Sequence, residues 1–341
     1  MENPFVEPVE RLFAEVAVPV AVRDVEEGGS PDTIWRAVEA SGFLDALVPE
    51  SAGGAGLGLS DAFPLLMLAG RHAVPVPFVQ TLLARAWLAA AGVPAPDGPI
   101  ALAGVGTTRK AGAVEARNIG FARVAAWVLA DLDGGTMLLP VSGATIEPTG
   151  GRGSLDATLR WPAQPDGARE VPALPAGSLL RLRDIEAAAW AALIAGAADR
   201  ALSLTLDYAG QRTQFGKAIG RFQAVQNQIS VMAEQAWAAR MAAQMACHGP
   251  GWQPRPLLAA LGKSRCSEAA PLIADIAHAV HGAIGITDEY DLQLYTRRLR
   301  AWRLIAGSES YWATVIGEAC LRQPGQSALS FIVDQLSAEQ A

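Results

Sequence analysis

The chain reads as mostly α-helical with a small β domain in its middle, and three observations carry that reading. Hydrophobic residues make up 51% of the 341 residues, with alanine prominent among them, which is the composition of helices with wide buried faces. Between about residues 98 and 172 the texture changes to short apolar runs separated by glycine-rich turns. Beyond it, Phe222, Val225, Ile229, Met232 and Ala236 recur at 3-4-3-4 spacing, which predicts a long amphipathic helix of coiled-coil-like character.

The elements follow in order. The region 1–97 reads as an N-terminal helical domain. "SPDTIWRAVEASGFLDALVPE" has a Ser-Pro-Asp helix start and apolar residues at helical spacing, Ile34, Val38, Phe43 and Leu47. "SAGGAGLG" breaks it, and "LSDAFPLLMLAGRHA" and "PFVQTLLARAWLAAAG" predict two more helices, separated by Pro75 and Pro77. In 98–172, "GPIALAGV", "AAWVLADL", "TMLLPV" and "ATLRWP" predict strands, and "QPDGAREVPALPAGS" reads as a linker. In 173–341, "IEAAAWAALIAGAADRALSLTLDYA" and "APLIADIAHAV" flank the 3-4-3-4 helix, and long helices with short connections predict a bundle.

Composition removes several function classes. The net charge of −7 is the wrong sign for a broad nucleic-acid footprint. The acidic start "MENPFVEPVERLF" is no secretory signal, and the greasiest unbroken stretches fall short of the ~20 apolar residues of a membrane span. Cys247, Cys266 and Cys320 are too few and too scattered for a disulfide framework or a zinc site, which suits a reducing cytoplasm.

Three motifs, in order and at matching spacing, give the chain a resemblance to the acyl-CoA dehydrogenase family over essentially its whole length. "LVPESAGGAGLG" resembles that family's VPE-x-x-GG-x-G loop. "RTQFGKAIGRFQAVQ" resembles its R-x-x-FG-x-x-x-x-x-x-Q segment. "AVHGAIGITDEYDLQLYTRRLRAW" resembles its GG-x-G helix end, followed by an acidic-aromatic pair and an arginine-bearing helix. The resemblance implies an N-terminal helical domain, a middle β-barrel or sheet domain and a C-terminal four-helix bundle. It implies dimers or tetramers in which each FAD lies across a subunit interface, with one subunit holding the ring and its neighbour supplying the R-x-x-FG segment to the diphosphate and adenosine.

The residues suit that role. A diphosphate favours a planar, permanently charged donor such as Arg212. Phe215 can press an apolar face on the cofactor, Gly216 and Gly220 admit close backbone approach, and Gln214 and Gln223 offer hydrogen bonds. "HGAIG" is the second cofactor segment, with His281, Gly282 and Gly285 as its candidates. Aligned on its glycines, Ala279 falls where the family carries glutamine and Ala283 where it carries a second glycine. A glycine-rich helix end with a half-buried histidine is the competing structural reading.

The family's chemistry needs a carboxylate that removes the α-proton of an acyl-CoA thioester while the β-hydride passes to the flavin. Its usual place, a Tyr-Glu-Gly-Thr segment, reads "LIAGSES" here and puts Ala306 at the glutamate. Some members carry the base at the start of the first bundle helix, where Glu186 stands, although the arginine that usually follows is Ala187. An ordinary first-turn acid beside Asp184 is the alternative. Glu309 falls three residues past the expected place, roughly 4.5 Å along a helix. The ring-wrapping motifs of the middle domain are absent, and Trp127 reads as core packing.

The chain therefore keeps what serves a neighbour's FAD and lacks what holds its own. That pattern resembles the small subunits of heteromeric bacterial acyl-CoA dehydrogenases of steroid side-chain degradation. The expected function is α,β-desaturation of an acyl-CoA, with a related subunit or a second copy as partner and an electron-transferring flavoprotein as acceptor. A non-catalytic structural subunit, and a flavin oxidase or monooxygenase of related fold, are the alternatives.

Overall fold

A computed structural model describes residues 4–110, 112–175, 180–323 and 325–336. Five helices come first: α1 Val6–Val16, α2 Pro19–Glu26, α3 Asp32–Ala40, α4 Leu59–Arg71 and α5 Phe78–Ala90. The third is shorter than its sequence period suggests. Ser30 Oγ accepts the Asp32 amide at its start, but Gly42 takes a left-handed φ of 75° and diverts Phe43 and Leu47 into a tight turn.

Eight strands follow: β1 Ile100–Ala103, β2 Thr107–Lys110, β3 Ala113–Ile119, β4 Trp127–Leu132, β5 Gly135–Pro140, β6 Thr145–Pro148, β7 Ala157–Pro162 and β8 Arg169–Val171. They form two four-stranded sheets, ordered β1-β4-β5-β8 and β2-β3-β7-β6, with β1 and β4 parallel and the other pairs antiparallel. Inward residues of both, including Val114, Val128, Leu139, Leu159 and Trp161, make a separate small core. The expected strands are present. The hairpin β2–β3 is additional, hidden by its charged outward positions, and β8 occupies part of the expected linker, whose residues 176–178 lie outside the described residues. Trp127 is half-buried at the sheet margin rather than in the core, its indole N–H donating to the Asp97 carbonyl at 3.1 Å and its face under Arg169.

The remaining helices are α6 Leu182–Gln211, α7 Gln223–Ala246, α8 Pro256–His281, α9 Leu292–Trp302, α10 Glu309–Leu321 and α11 Ala328–Phe331, with a two-stranded hairpin, β9 Thr213–Gln214 and β10 Lys217–Ala218, joining α6 to α7. Helices α6, α7 and α8 pack on one another and α10 lies on α8. Helix α4 crosses α6 closely because Gly70 and Gly196 face each other. A Cβ on Gly196 would fall 1.9 Å from the Met67 carbonyl oxygen, and one on Gly70 2.1 Å from that of Leu193.

Buried ion pairs tie the regions together. Glu26 of α2 accepts from Arg297 at 2.7 Å and Arg298 at 2.5 Å, both on α9, and Arg298 also donates to the Ala73 and Leu294 carbonyls. The arginine-bearing helix is thus spent on holding the N-terminal helices to the bundle. Two helical runs, α6 and 256–286, are long and apolar enough by length and composition to cross a membrane, although neither is an unbroken apolar stretch. In α6 83% of the most apolar window is buried inside the protein, and in 256–286 50%.

Candidate functional site

The segment Arg212–Gln223 stands out from the bundle. Helix α6 stops when Arg212 turns to an extended conformation, its amide still donating to the Tyr208 carbonyl at 2.8 Å. Thr213 pairs with Ala218 and Gln214 with Lys217, which leaves Phe215 and Gly216 as a two-residue turn with φ of 50° and 81°. Such a primed turn asks for positive φ at both positions. Glycine meets that freely, but a phenylalanine held there costs about 1–2 kcal/mol. Phe215 is also 91% exposed, so neither local preference nor burial explains it. Phe121 has a similar φ of 60° but is buried, so it is exposure together with strain that sets Phe215 apart. Its only aromatic neighbour among the described residues is Phe222, edge-on at 6.2 Å, which also carries the Lys217 ammonium at 4.3 Å. Arg212, Gln214 and Gln223 are exposed, and the Arg212 guanidinium makes no hydrogen bond or ion pair among the described residues.

The second predicted segment lies at the same end of the bundle but faces inward. His281 is 4% exposed and stacks on Tyr208 with centroids 4.5 Å apart and planes at 19°, with Tyr290 at 5.1 Å. Its Nδ1–H donates to the Ala277 carbonyl at 2.8 Å. Nε2 has no hydrogen-bond partner among the described residues, the Leu204 carbonyl being near but outside bonding geometry. Burial holds the imidazole below its usual pKa, so it is neutral at pH 7. Gly285 is buried too, where a Cβ would fall 2.9 Å from that of His281. Only Gly282, exposed with φ 64°, opens outward. The candidate cofactor residues His281 and Gly285 thus lie in the packing where the ends of α6 and α8 meet, as the competing reading of a glycine-rich helix end with a half-buried histidine has it.

Glu186 stands at the other end of α6. That helix has 30 residues, about 45 Å at 1.5 Å per residue, so Glu186 and Arg212 are separated by most of its length. The Glu186 side chain is 1% exposed and accepts the Gly104 amide at 2.8 Å from the end of β1. Burial raises its pKa to about 8, offset in part by the Gly104 hydrogen bond, by the Trp190 indole, which faces it without bonding geometry, and by the Lys263 charge.

Three features of this end were missed in the sequence. Trp190, one turn beyond Glu186, stacks on Phe121 with planes 8° apart and centroids at 5.7 Å, and Trp302 lies 5.6 Å from Trp190. Lys263 of α8 is fully buried. Its ammonium donates to Ser267 Oγ at 2.8 Å and to the carbonyls of Arg303 and Gly307 at 3.0 Å and Trp302 at 3.3 Å, and burial lowers its pKa to about 7. These carbonyls belong to the C-terminal end of α9 and the turn after it, where a cation complements the helix dipole. In that turn Ala306 adopts φ 57° and its carbonyl accepts the Trp312 indole at 2.8 Å. Lys263 was detectable in principle, since it shares a helix face with the buried Ala259 and Cys266. Glu309 starts α10 and pairs with Arg303, which holds it below the usual carboxylate range despite partial burial.

A cleft of about 360 Å³ lies on the far side of the aromatic group, lined by Phe121, Leu155, Ala301, Trp302 and Leu304 with Arg152 and Arg297 at its rim. Glu186 lines neither it nor the two other main clefts.

Comparison with known proteins decides the family. Residues 2–95 match the acyl-CoA dehydrogenase N-terminal domain and residues 181–321 the acyl-CoA dehydrogenase C-terminal domain. The chain belongs to the acyl-CoA dehydrogenase family. It is 33% identical over 299 residues to acyl-CoA dehydrogenase IpdE2 of Mycobacterium tuberculosis, covering 86% of this chain and 88% of that one. Among solved structures it is similar to the Tcur3481–Tcur3483 steroid ACAD, with a TM-score of 0.78 and 26% identity over 94% of this chain and 98% of the other. It shares its fold with a chain of the ChsE4–ChsE5 complex from Mycobacterium tuberculosis, with a TM-score of 0.77 and 20% identity over 95% and 99% of the two chains. The protein is thus an acyl-CoA dehydrogenase-type oxidoreductase, mostly helical with a mixed β domain, and it shares its fold with PigA, whose solved structure holds FAD and proline, at a TM-score of 0.73 and 20% identity over 93% of this chain and 97% of the other.

FAD fits one end of this acyl-CoA dehydrogenase chain and not the other. The exposed arginine, glutamines and strained Phe215 suit a diphosphate and adenosine arriving from outside. At the Glu186 end, the carboxylate is 1% exposed and lines none of the main clefts.

Proposed function

We propose that this chain is one subunit of a heteromeric FAD-dependent acyl-CoA dehydrogenase that α,β-desaturates an acyl-CoA, and that its hairpin clamps the cofactor of a related partner subunit. The observation that carries this reading is that the exposed hairpin is kept while the ring-wrapping motifs of the middle domain are absent and Ala306 stands at the usual glutamate; the hairpin and Glu186 are also separated by most of the ~45 Å length of α6. One cofactor cannot meet Arg212 and Glu186 of the same chain. Arg212 would take the diphosphate in paired, charge-assisted hydrogen bonds, Phe215 would cover the adenosine, and Gln214 and Gln223 would bond its edges. Gly282 would let the α8 end approach. FAD, when bound, supplies the acceptor for the β-hydride.

The similarity to IpdE2 and to the steroid ACAD favours a bulky acyl chain of steroid type, with electrons passing to an electron-transferring flavoprotein. Three unpaired cysteines, two of them buried, suit a reducing, cytoplasmic setting.

Purification with and without the related subunit tests the proposal. The chain alone is expected to be colourless and the co-expressed complex yellow. A chain that purifies alone with bound FAD would contradict it.

A further inference from the structure

We propose that the cleft between the β6–β7 loop and the end of α9 binds an amphipathic anion, a hydrocarbon body carrying a carboxylate, at a site apart from both Glu186 and the hairpin. The proposal stands on this chain alone and does not rest on the heteromeric reading.

The cleft has a bare wall and an apolar one. The β6–β7 loop contributes Gly150, Gly151 and Gly153. Gly150 and Gly153 take φ of 83° and 75°, so the turn itself explains them. Gly151 has no such φ, and a Cβ on it would meet nothing within 4 Å. The exposed tip of the loop thus leaves open space where a side chain would stand. Facing the loop are Ala301 and Leu304, and Leu304 is 53% exposed. A lone exposed leucine means little, but this one lines a cleft of about 360 Å³, within the range of about 300–1,000 Å³ that holds small molecules.

The floor is fixed before a ligand arrives. It is made by Phe121 and Trp302, with centroids 6.1 Å apart, and a buried polar group anchors each. Asp156, 4% exposed, accepts the Phe121 amide at 3.2 Å and the Ser154 hydroxyl at 2.8 Å, which holds Phe121 at its φ of 60° from within. Lys263 donates to the Trp302 carbonyl at 3.3 Å. A preformed pocket spares the ligand the cost of ordering it.

The charge around the cleft selects an anion. Arg152, Arg297, Arg298 and Arg300 line it against Glu26 and Asp156, in a chain of net charge −7. Arg297 and Arg298 are taken up by Glu26. Arg152 and Arg300 are exposed. Arg152 pairs with Asp288 at 2.8 Å and Glu27 at 3.6 Å, and Arg300 with Asp275 through Nη2. Pairs between exposed groups are weak in water. Arg300 Nε and Nη1 have no hydrogen-bond partner among the described residues. Donors therefore remain for a carboxylate whose hydrocarbon body lies on Leu304 and Ala301. Glu186 does not line the cleft, so the ligand is held there and not deprotonated by that acid.

Fluorescence titration with anilinonaphthalene sulfonate, a ring body with one anionic group, tests the site on the purified chain alone and with its related subunit. One saturable site is expected in both. Arg300→Ala should weaken it by about threefold to tenfold, and Leu304→Glu by at least about tenfold. Both positions are on the surface, so circular dichroism should be unchanged. Trp237→Ser, on the exposed outer face of α7, should leave the affinity as it is, and uncharged phenylnaphthylamine should bind without regard to Arg300. Displacement by cholate or by octanoate supports the proposal and tells a ring-bearing carboxylate from a linear one. Displacement by neither, or a dye affinity untouched by both cleft variants, would overturn it. Binding to the chain alone that vanishes in the complex would also overturn it, by showing the cleft to be an interface.

Discussion

The two ends of α6 make opposite use of polar residues. At its N-terminal end Glu186 and Asp184 are buried, bonded to backbone amides of Gly104 and Arg181, and raised in pKa. At its C-terminal end Arg212, Gln214 and Phe215 are exposed, and one of them is strained. A buried, fully packed carboxylate is explained by its own chain. An exposed aromatic in a left-handed turn is not, and it calls for something beyond the chain. The difference teaches where each end is satisfied: the acids at the first end by their own chain, and the polar groups of the hairpin by solvent or by whatever docks on it.

That contrast can be broken at either end. The largest effect is expected from Trp190→Ala, which removes an aromatic core residue and should cost about 3–5 kcal/mol in stability. Chemical denaturation reads it, and a loss below about 1 kcal/mol would show the aromatic group of Phe121, Trp190 and Trp302 to be loosely packed. Next, Arg212→Ala should weaken FAD binding by the complex by ~10–100-fold, corresponding to about 1.5–3 kcal/mol for lost charge-assisted bonds. The melting temperature of the isolated chain should stay unchanged. Fluorescence titration of the apo-complex measures the first, and an unaltered affinity would remove the hairpin from the cofactor.

The pH dependence of stability sharpens the closed end. The folded pKa of Glu186, about 8, lies above its unfolded value of 4.5, so its contribution is full below pH 4.5 and is lost as pH rises towards 8. Glu186→Gln does not titrate, so its stability relative to wild type should grow by about 3–4 kcal/mol between pH 5 and pH 8. Lys263 costs stability below its folded pKa of about 7 and is relieved between there and 10.5, and Asp131, raised to about 6 by burial, adds its own slope. Both are common to the two proteins. A difference in melting temperature that is flat with pH would mean that Glu186 is solvated. The smallest effect is Phe215→Asn. Asparagine tolerates positive φ, so the chain should gain up to ~1 kcal/mol while the complex holds FAD less tightly. A loss on both counts would make Phe215 a packing residue.

Much of this was legible in the sequence. The 3-4-3-4 spacing predicts α7, four apolar runs predict four of the strands, and the R-x-x-FG segment directs attention to Arg212. What was not legible has physical reasons. The β2–β3 hairpin carries Arg109, Lys110, Glu115 and Arg117 on outward positions, which mask its apolar period. His281 reads equally as a cofactor contact or a half-buried histidine, and the Tyr208 ring stacked on it is a contact across 73 residues of chain that the sequence does not show. Glu186 has the right residue type at the right place, and only the structure shows that it is 1% exposed and bonded to the Gly104 amide, a contact across 82 residues of chain.

The most direct test of the central claim is the flavin content of the complex of this chain with its related partner. The account predicts one FAD for every two polypeptides, bound to the partner's ring pocket and clamped by this chain's hairpin. One FAD per polypeptide would contradict it, because the Glu186 end would then be an open flavin site.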